Sequence, residues 1–325
     1  EGFISIFVYL GDGLGGFTAH GEIDSNQGIM DSNSFAVGQL NGDTHPDVVI
    51  GYYGSQFSVS YGDGIGGFTT APSQVMPGTP GQGLDGLYRM AVGDFDNNGD
   101  NDIAFGLLPC NFEPPPTDPP DPSSPYCPAM EPTRNEVFIA EGDGAGNFTP
   151  AAGNPHPIAG GAQARITSLR TGNFNGDGID DLAVSANNQT IQTFLGDDSS
   201  FLVTNPDPKG VVQTGAEPTF VQVADIDLDG QQDLVWTNRS GNGFELALQT
   251  GASGFQIPVK SPFPASDSGP YPFDLSTGDF NEDGATDLAG AFENPGPGVQ
   301  VMMNSPSIEA DPLDFGDQRV GIASE

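Results

Sequence analysis

Short runs of alternating or continuous apolar residues recur along the chain, and no stretch of useful length has helical spacing. The runs are DVVIGYY from Asp47, FSVSYG from Phe57, EVFIAEG from Glu136, DLAVSA from Asp181, TIQTFLG from Thr190, DLVWTN from Asp233, FELALQT from Phe244, DLAGAF from Asp287 and VQVMMN from Val299. They are rich in Val, Ile, Phe and Tyr, and clusters of Gly or Asp bound them, which is the pattern of β-strands. No run of 18 apolar residues occurs, so no helical membrane span is expected.

The runs are organised by a repeat. Five segments align: GQLNGDTHPDVVI from Gly38, GDFDNNGDNDIAF from Gly93, GNFNGDGIDDLAV from Gly172, ADIDLDGQQDLVW from Ala224 and GDFNEDGATDLAG from Gly278. Their starts lie 55, 79, 52 and 54 residues apart. The long interval holds about 25 extra residues, which are rich in Pro. A second motif follows the first: GDGIGGF at Gly62, GDGAGNF at Gly142, a degraded GDDSSF at Gly196 and a looser TGASGF at Thr250. Another copy, GDGLGGF at Gly11, has no acidic loop before it. Each unit therefore reads as strand, acidic loop, strand, turn, strand, Gly-rich turn, strand. Four strands repeated in this way make the blades of an all-β propeller, with five full repeats and an N-terminal half-blade.

The acidic loops carry the candidate chemistry. Calcium takes about six to eight oxygens, and side chains at every second residue supply them when intervening positions turn the backbone sharply. The fourth loop offers Asp225, Asp227, Asp229 and Asp233, with the carbonyl of Gln231. The second offers Asp94, Asp96, Asn98 and Asp102, with the carbonyl of Asp100. The fifth offers Asp279, Asn281, Asp283 and Asp287, with that of Ala285. The third offers Asn173, Asn175, Asp177 and Asp181, with that of Ile179. The first has Gln39, Asn41, Asp43 and Asp47, and Thr44 stands where the others have Gly, so weak binding or a hydrogen-bonded substitute is expected there. An EF-hand would need a Glu at its twelfth position. Trp236 and Gly290 occupy that place, between strand-like flanks. The competing reading is an acidic turn that uses Asp and Asn side chains to hold its own backbone. The recurrence of the loops in register favours four to five structural Ca2+ sites.

Charge and cysteines narrow the setting. There are 44 acidic against 8 basic residues, a net charge of −36, so the surface repels nucleic acid and anionic membranes. A cation in every loop would leave the charge near −26. Apolar residues make up 36% and include 22 Phe, enough for a packed core. Cys110 and Cys127 flank a Pro-, Asp- and Ser-rich insertion. A disulfide at its base is expected, because free thiols beside an exposed loop are a liability, and it implies an oxidising compartment. Asn147, Asn188 and Asn238 begin Asn-x-Ser/Thr triplets, which matter only in a glycosylating host.

The pairing of D-x-[DN]-x-[DN]-G-x-x-D with a downstream G-x-G-x-G-x-F resembles the FG-GAP/VCBS repeat family, which includes the propeller head of integrin α chains and many bacterial surface proteins. The resemblance spans residues 1–304. It implies acidic loops between the first two strands of each blade, structural calcium, partner contacts on other loops, and six or seven blades when complete. Residues 305–325 break the repeat and are similar to the opening of an immunoglobulin-like domain, or to a donated strand. The half-blade has three explanations: a fragment of a longer propeller, closure against the last repeat, or completion by another chain.

Catalytic signals are few. His20, His45 and His156 lie in polar surroundings and read as surface residues, and no nucleophile, phosphate-loop or zinc spacing occurs. The expected function is a secreted, calcium-binding adhesion module at the cell surface, not an enzyme, with a protein or glycan ligand. The alternative is a structural subunit of an extracellular fibre or coat, assembled by strand exchange with copies of itself. A polysaccharide-active enzyme is the third reading, since carboxylate pairs are abundant.

Overall fold

The computed structural model describes residues 6–14, 16–23, 35–52, 56–75, 86–108, 136–160, 164–198, 200–205, 207–238, 243–262, 272–292 and 298–304. Cys110, Cys127, the insertion between them and residues 305–325 lie outside this set.

The described residues form antiparallel sheets that follow one another along the chain. β1 (Ile6–Gly11) and β2 (Phe17–Ile23) make a two-stranded sheet. β3 (Phe35–Gly38), β4 (Asp47–Tyr52), β5 (Gln56–Gly62) and β6 (Phe68–Thr70) lie in that order, with β7 (Gln74–Val75) also on β5. β8 (Gly86–Gly93), β9 (Asp102–Leu108), β10 (Glu136–Gly142) and β11 (Phe148–Pro150) repeat the arrangement, with β12 (His156–Pro157) on β10. So do β13 (Ile166–Gly172), β14 (Asp181–Ala186), β15 (Thr190–Asp197) and β16 (Phe201–Thr204), with β17 (Val211–Gln213) on β15. Next come β18 (Pro218–Ala224), β19 (Asp233–Asn238) and β20 (Gly243–Ala247). β21 (Gln249–Thr250) pairs with β22 (Gly254–Phe255), and β23 (Val259–Pro262) completes the sheet beside β20. β24 (Pro272–Gly278), β25 (Asp287–Phe292) and β26 (Gly298–Met302) form the last sheet.

The four-strand unit read from the sequence is present, with one refinement. The outer strand is split in two in three of the sheets, as β6 and β7, β11 and β12, and β16 and β17. Proline explains the first two breaks. Pro72 and Pro155 lie between the halves, and a residue without an N–H is tolerated at a sheet edge but interrupts the ladder. Ala71 and Ala151 keep the turn attached, donating their N–H to Val59 and Ile139.

The chain divides into two compact units, Glu1–Ile166 with Gly196–Leu202, and Thr167–Leu195 with Val203–Glu325. In both, the second strand of a sheet is the most buried. β4, β14 and β19 are buried at every residue, so their runs are apolar on both faces instead of alternating. In the first unit Phe57 and Val59 pack against Ile103, Phe105, Phe138 and Phe148 of the following sheet. The Phe57 ring centroid lies 5.2 Å from that of Phe105 and 5.9 Å from that of Phe148. In the second unit Phe174, Ala183 and Ile191 pack against Val221, Leu234, Trp236 and Phe255.

Truncating a ring at such a junction removes contacts with two sheets. Phe57→Ala is expected to cost about 3–5 kcal/mol of unfolding free energy. Ile65→Ala, at a side chain 75% exposed, is expected to change it by less than about 0.5 kcal/mol. Urea titration of both variants checks the contrast.

Candidate metal centres

Each acidic loop joins the first strand of a sheet to the second: residues 39–46, 94–101, 173–180, 225–232 and 279–286. Their backbones are alike. The fourth position has positive φ in every loop, at Gly42, Asn97, Gly176, Leu228 and Glu282, and so does the sixth, at Thr44, Gly99, Gly178, Gly230 and Gly284. Two left-handed residues flanking the fifth position curl the chain around the side chains at positions one, three and five. Glycine takes that conformation freely, whereas a β-branched residue is strained in it. Thr44, at φ 76°, is the costly case.

Side chains hold the curl. Asn41, Asp96, Asn175, Asp227 and Asn281 each accept the N–H two residues on, at 3.0–3.3 Å. Asp43, Asn98, Asp177, Asp229 and Asp283 do the same at 2.7–2.9 Å. Asp94, Asp225 and Asp279 cap the N–H groups of positions five and six with both oxygens. Asn173 instead accepts from Gly176 at 2.8 Å. These are turns of the kind Asp and Asn favour, and they leave further lone pairs on the same oxygens.

The ninth residue has a different place. Asp47, Asp102, Asp181, Asp233 and Asp287 begin the second strand and are 0–1% exposed. One oxygen accepts the N–H of the loop's second residue, Leu40, Phe95, Phe174, Ile226 or Phe280, at 2.5–3.1 Å. In four of them the other oxygen accepts an N–H where the third strand ends, from Gly62, Gly142, Gln249 or Asn304, at 2.7–2.9 Å. One carboxylate thus ties loop, second strand and third strand together.

In two loops the structure gathers three carboxylates. Asp94, Asp96 and Asp102, and Asp225, Asp227 and Asp229, each bring one oxygen apiece within 4.8 Å of one another. Burial, and then the neighbouring Asp96 and Asp94, push the Asp102 carboxyl up to about 7, against the Gly142 and Phe95 N–H groups that favour its anion. Burial pushes Asp233 up to about 7 in the same way, with Asp227 and Asp229 adding to it. Burial also raises Asp47, Asp96 and Asp227. Such groups are stabilised by a proton or a cation. The donor atoms are all oxygens, which suits a hard ion such as Ca2+ and not a thiophilic metal. The third and fifth loops place Asn175 and Asn281 where the second and fourth have Asp96 and Asp227, and their amides donate to Asp177 and Asp283 at 2.7 and 2.9 Å. In the first loop Gln39 donates to Asn41 and Asn41 to Asp43, at 3.3 and 2.9 Å, so amides occupy two ligand positions.

The Gly-rich turns are self-capped. Asp12, Asp63 and Asp143 each accept the N–H groups two and four residues on, which holds their carboxyls below the usual range. In Asp143 the Asn147 side chain contributes most.

Some working residues escaped the sequence reading. Asn101 donates to the Gln39 carbonyl of the preceding sheet at 2.9 Å, and Gln232 accepts from Asn173 N–H at 2.6 Å. Gln249 and Asn304 donate to the Phe174 and Ile226 carbonyls at 2.6 and 2.7 Å. These amides clasp neighbouring sheets at the acidic loops. The signal was an amide at the eighth loop position in two repeats, visible but without evident purpose. His156, expected at the surface, is 7% exposed, because β12 turns it inward against β10. Asn238 is likewise 3% exposed.

Two outcomes separate the roles of these acids. Asp233→Ala strips two buried N–H donors of their acceptor and is expected to cost roughly 3 kcal/mol even in chelator, whereas Asp229→Ala in chelator costs under about 1 kcal/mol. Thr44→Gly relieves the positive-φ strain and is expected to add about 1 kcal/mol. Denaturant midpoints of the purified variants test both.

The model of the FG-GAP-like repeat matches residues 39–105, 173–236 and 225–290, more than half of the chain. The sequence matches no curated protein. Among solved structures, the crystal structure of BBS1N in complex with ARL6DN, soaked with lead, is similar at 12% identity and a TM-score of 0.44, over 86% of this chain and 81% of that one. Its mercury-soaked counterpart gives 11% and 0.45, over 86% and 80%. With acidic loops between the first two strands of successive sheets and the family model across most of them, the chain is an all-β member of the FG-GAP-like repeat family of β-propellers.

Proposed function

We propose that this chain is a secreted, calcium-stiffened binding module that presents a protein or glycan ligand with a rigid surface outside the cell. The observation that carries the reading is the pair of carboxylate clusters at Asp94, Asp96, Asp102 and at Asp225, Asp227, Asp229. Three carboxylates within 4.8 Å repel one another, and a divalent cation turns that repulsion into a tie. The fourth loop supplies four carboxylates and the second and fifth three each, and the third would hold the ion with more amide help. The net charge of −36 supports the same reading, since bound cations relieve self-repulsion. Calcium sites in extracellular modules bind at about 10⁻⁴–10⁻³ M and fill outside the cell, which suits a secreted protein. The reading assigns the chain no catalytic role. The second reading, a structural subunit, is favoured by the open edge of β1, which among the described residues pairs only with β2.

Thermal unfolding in calcium and in EGTA tests the proposal. At tenfold excess over Kd each filled loop adds about 1.4 kcal/mol, so the three loops of the second unit should raise its midpoint by roughly 10 °C. Asp227→Asn with Asp229→Asn should remove about a third of that gain. Identical melting in calcium and EGTA would overturn the calcium reading and leave the loops as self-capped turns.

A further inference from the structure

In the second unit, side chains that belong to no ligand set tie the acidic loops to one another. Gln249 reaches two loops at once. Its N–H donates to Asp233 of the fourth loop at 2.8 Å, and its side-chain amide donates to the Phe174 carbonyl of the third at 2.6 Å. Phe174 in turn gives its own N–H to Asp181. Asn304 repeats the device one sheet later. Its N–H bonds Asp287 of the fifth loop and its amide bonds the Ile226 carbonyl of the fourth, both at 2.7 Å, while Ile226 N–H bonds Asp233 at 2.9 Å. A hydrogen-bonded path therefore runs Asp181, Phe174, Gln249, Asp233, Ile226, Asn304, Asp287. Each of these residues lies in the second unit and is at most 5% exposed, so water does not compete for the links. A further tie joins the third loop to the fourth, where Gln232 accepts the Asn173 N–H at 2.6 Å.

Holding the ninth acid does not require these amides. In the second sheet Gly142 takes the place of Gln249 and donates its N–H to Asp102 at 2.9 Å. A Cβ at Gly142 would run into the Asn101 carbonyl. The side chains of Gln249 and Asn304 thus have a separate use, which is to grip the acidic loop of the neighbouring sheet. Gln232 stands between Gln231, whose carbonyl is a candidate ligand, and the buried Asp233. A cation that fixes those two neighbours also fixes Gln232 and, through Asp233, Gln249. Both side chains grip the entry of the third loop, at Asn173 and Phe174. A loop whose entry is already held loses less conformational freedom when it takes its own cation, and the effect is reciprocal by linkage.

We propose that the third, fourth and fifth loops take up calcium cooperatively, coupled through the side-chain amides of Gln232, Gln249 and Asn304. These are positioning residues and supply no ligand atom. The inference rests on the calcium reading above and adds an order of filling. The fourth loop, with four carboxylates, fills first and raises the affinity of the third, which has two.

The test follows amide exchange of residues 173–181, 225–233 and 279–287 separately in the whole chain as calcium is added. Asp227→Asn with Asp229→Asn leaves the third loop's own residues intact, yet it should raise the calcium midpoint of that loop by about fivefold or more. The melting loss assigned above to this pair is the fourth loop's own part, and coupling adds a loss at the third. In a Gln232→Ala, Gln249→Gly background the same pair should move the third-loop midpoint by less than about twofold. Asn304→Ala should uncouple the fifth loop from the fourth while the third and fourth stay linked, and it carries the test alone if the double-glutamine variant does not fold. A third-loop midpoint that ignores the fourth-loop substitutions would overturn the proposal and leave the calcium reading standing. Coupling that survives loss of the amides would overturn their role. Exchange that is insensitive to calcium in all three loops would remove the calcium reading and this proposal together.

Discussion

A buried carboxylate at the start of each second strand is the constraint on which the structure turns. Asp47, Asp102, Asp181, Asp233 and Asp287 are removed from water, and each accepts the N–H of the loop's second residue. An ion in that position is tolerated only because backbone donors surround it, and hydrogen bonds to a charged acceptor contribute about 1.5–3 kcal/mol each. The second donor comes from the end of the third strand, so the acid also sets where the sheet's central hairpin stops. With that residue in place, the loop before it has a fixed entry and exit, and its other oxygens converge.

The loop chemistry then serves two purposes at once. Asp and Asn at alternate positions satisfy the curled backbone, so the turn stands without a ligand. The same curl gathers carboxylates into clusters whose mutual repulsion a cation relieves. Where an amide replaces a carboxylate, as at Asn41, Asn175 and Asn281, it donates to the next acid, and the repulsion is partly relieved from within. The carboxylate count falls from four in the fourth loop, at Asp225, Asp227, Asp229 and Asp233, to two in the first, at Asp43 and Asp47.

Contacts between sheets are anchored at the same loops. The carbonyls of Gln39, Phe174 and Ile226 accept from Asn101, Gln249 and Asn304 of a neighbouring sheet, and aromatic cores fill the space behind. Stiffening a loop thus bears on the junction as well as on its own sheet. The β1–β2 pair closes on the same Gly-rich turn and exposes Phe7, Tyr9 and Phe17.

Much of this was legible in the residues. The apolar runs marked the strands, because a strand buried on both faces is mostly apolar and must bond the few polar groups it carries. The five acidic segments marked the loops between the first and second strands, because Asp and Asn at alternate positions bond that curl and Gly turns it most freely. Tertiary structure decided the rest. Spacing grouped Asp233 with Asp225, Asp227 and Asp229 as equals, yet only the first is sealed into the sheet, by the Ile226 N–H of its own loop and the Gln249 N–H sixteen residues downstream. The amides of Asn101 and Gln249 looked like ordinary polar residues, because their partners lie 62 and 75 residues away. His156 read as a turn residue until the split outer strand carried it inward. Local sequence determines which conformations a segment can adopt, whereas burial and long-range hydrogen bonding are settled only when distant segments meet.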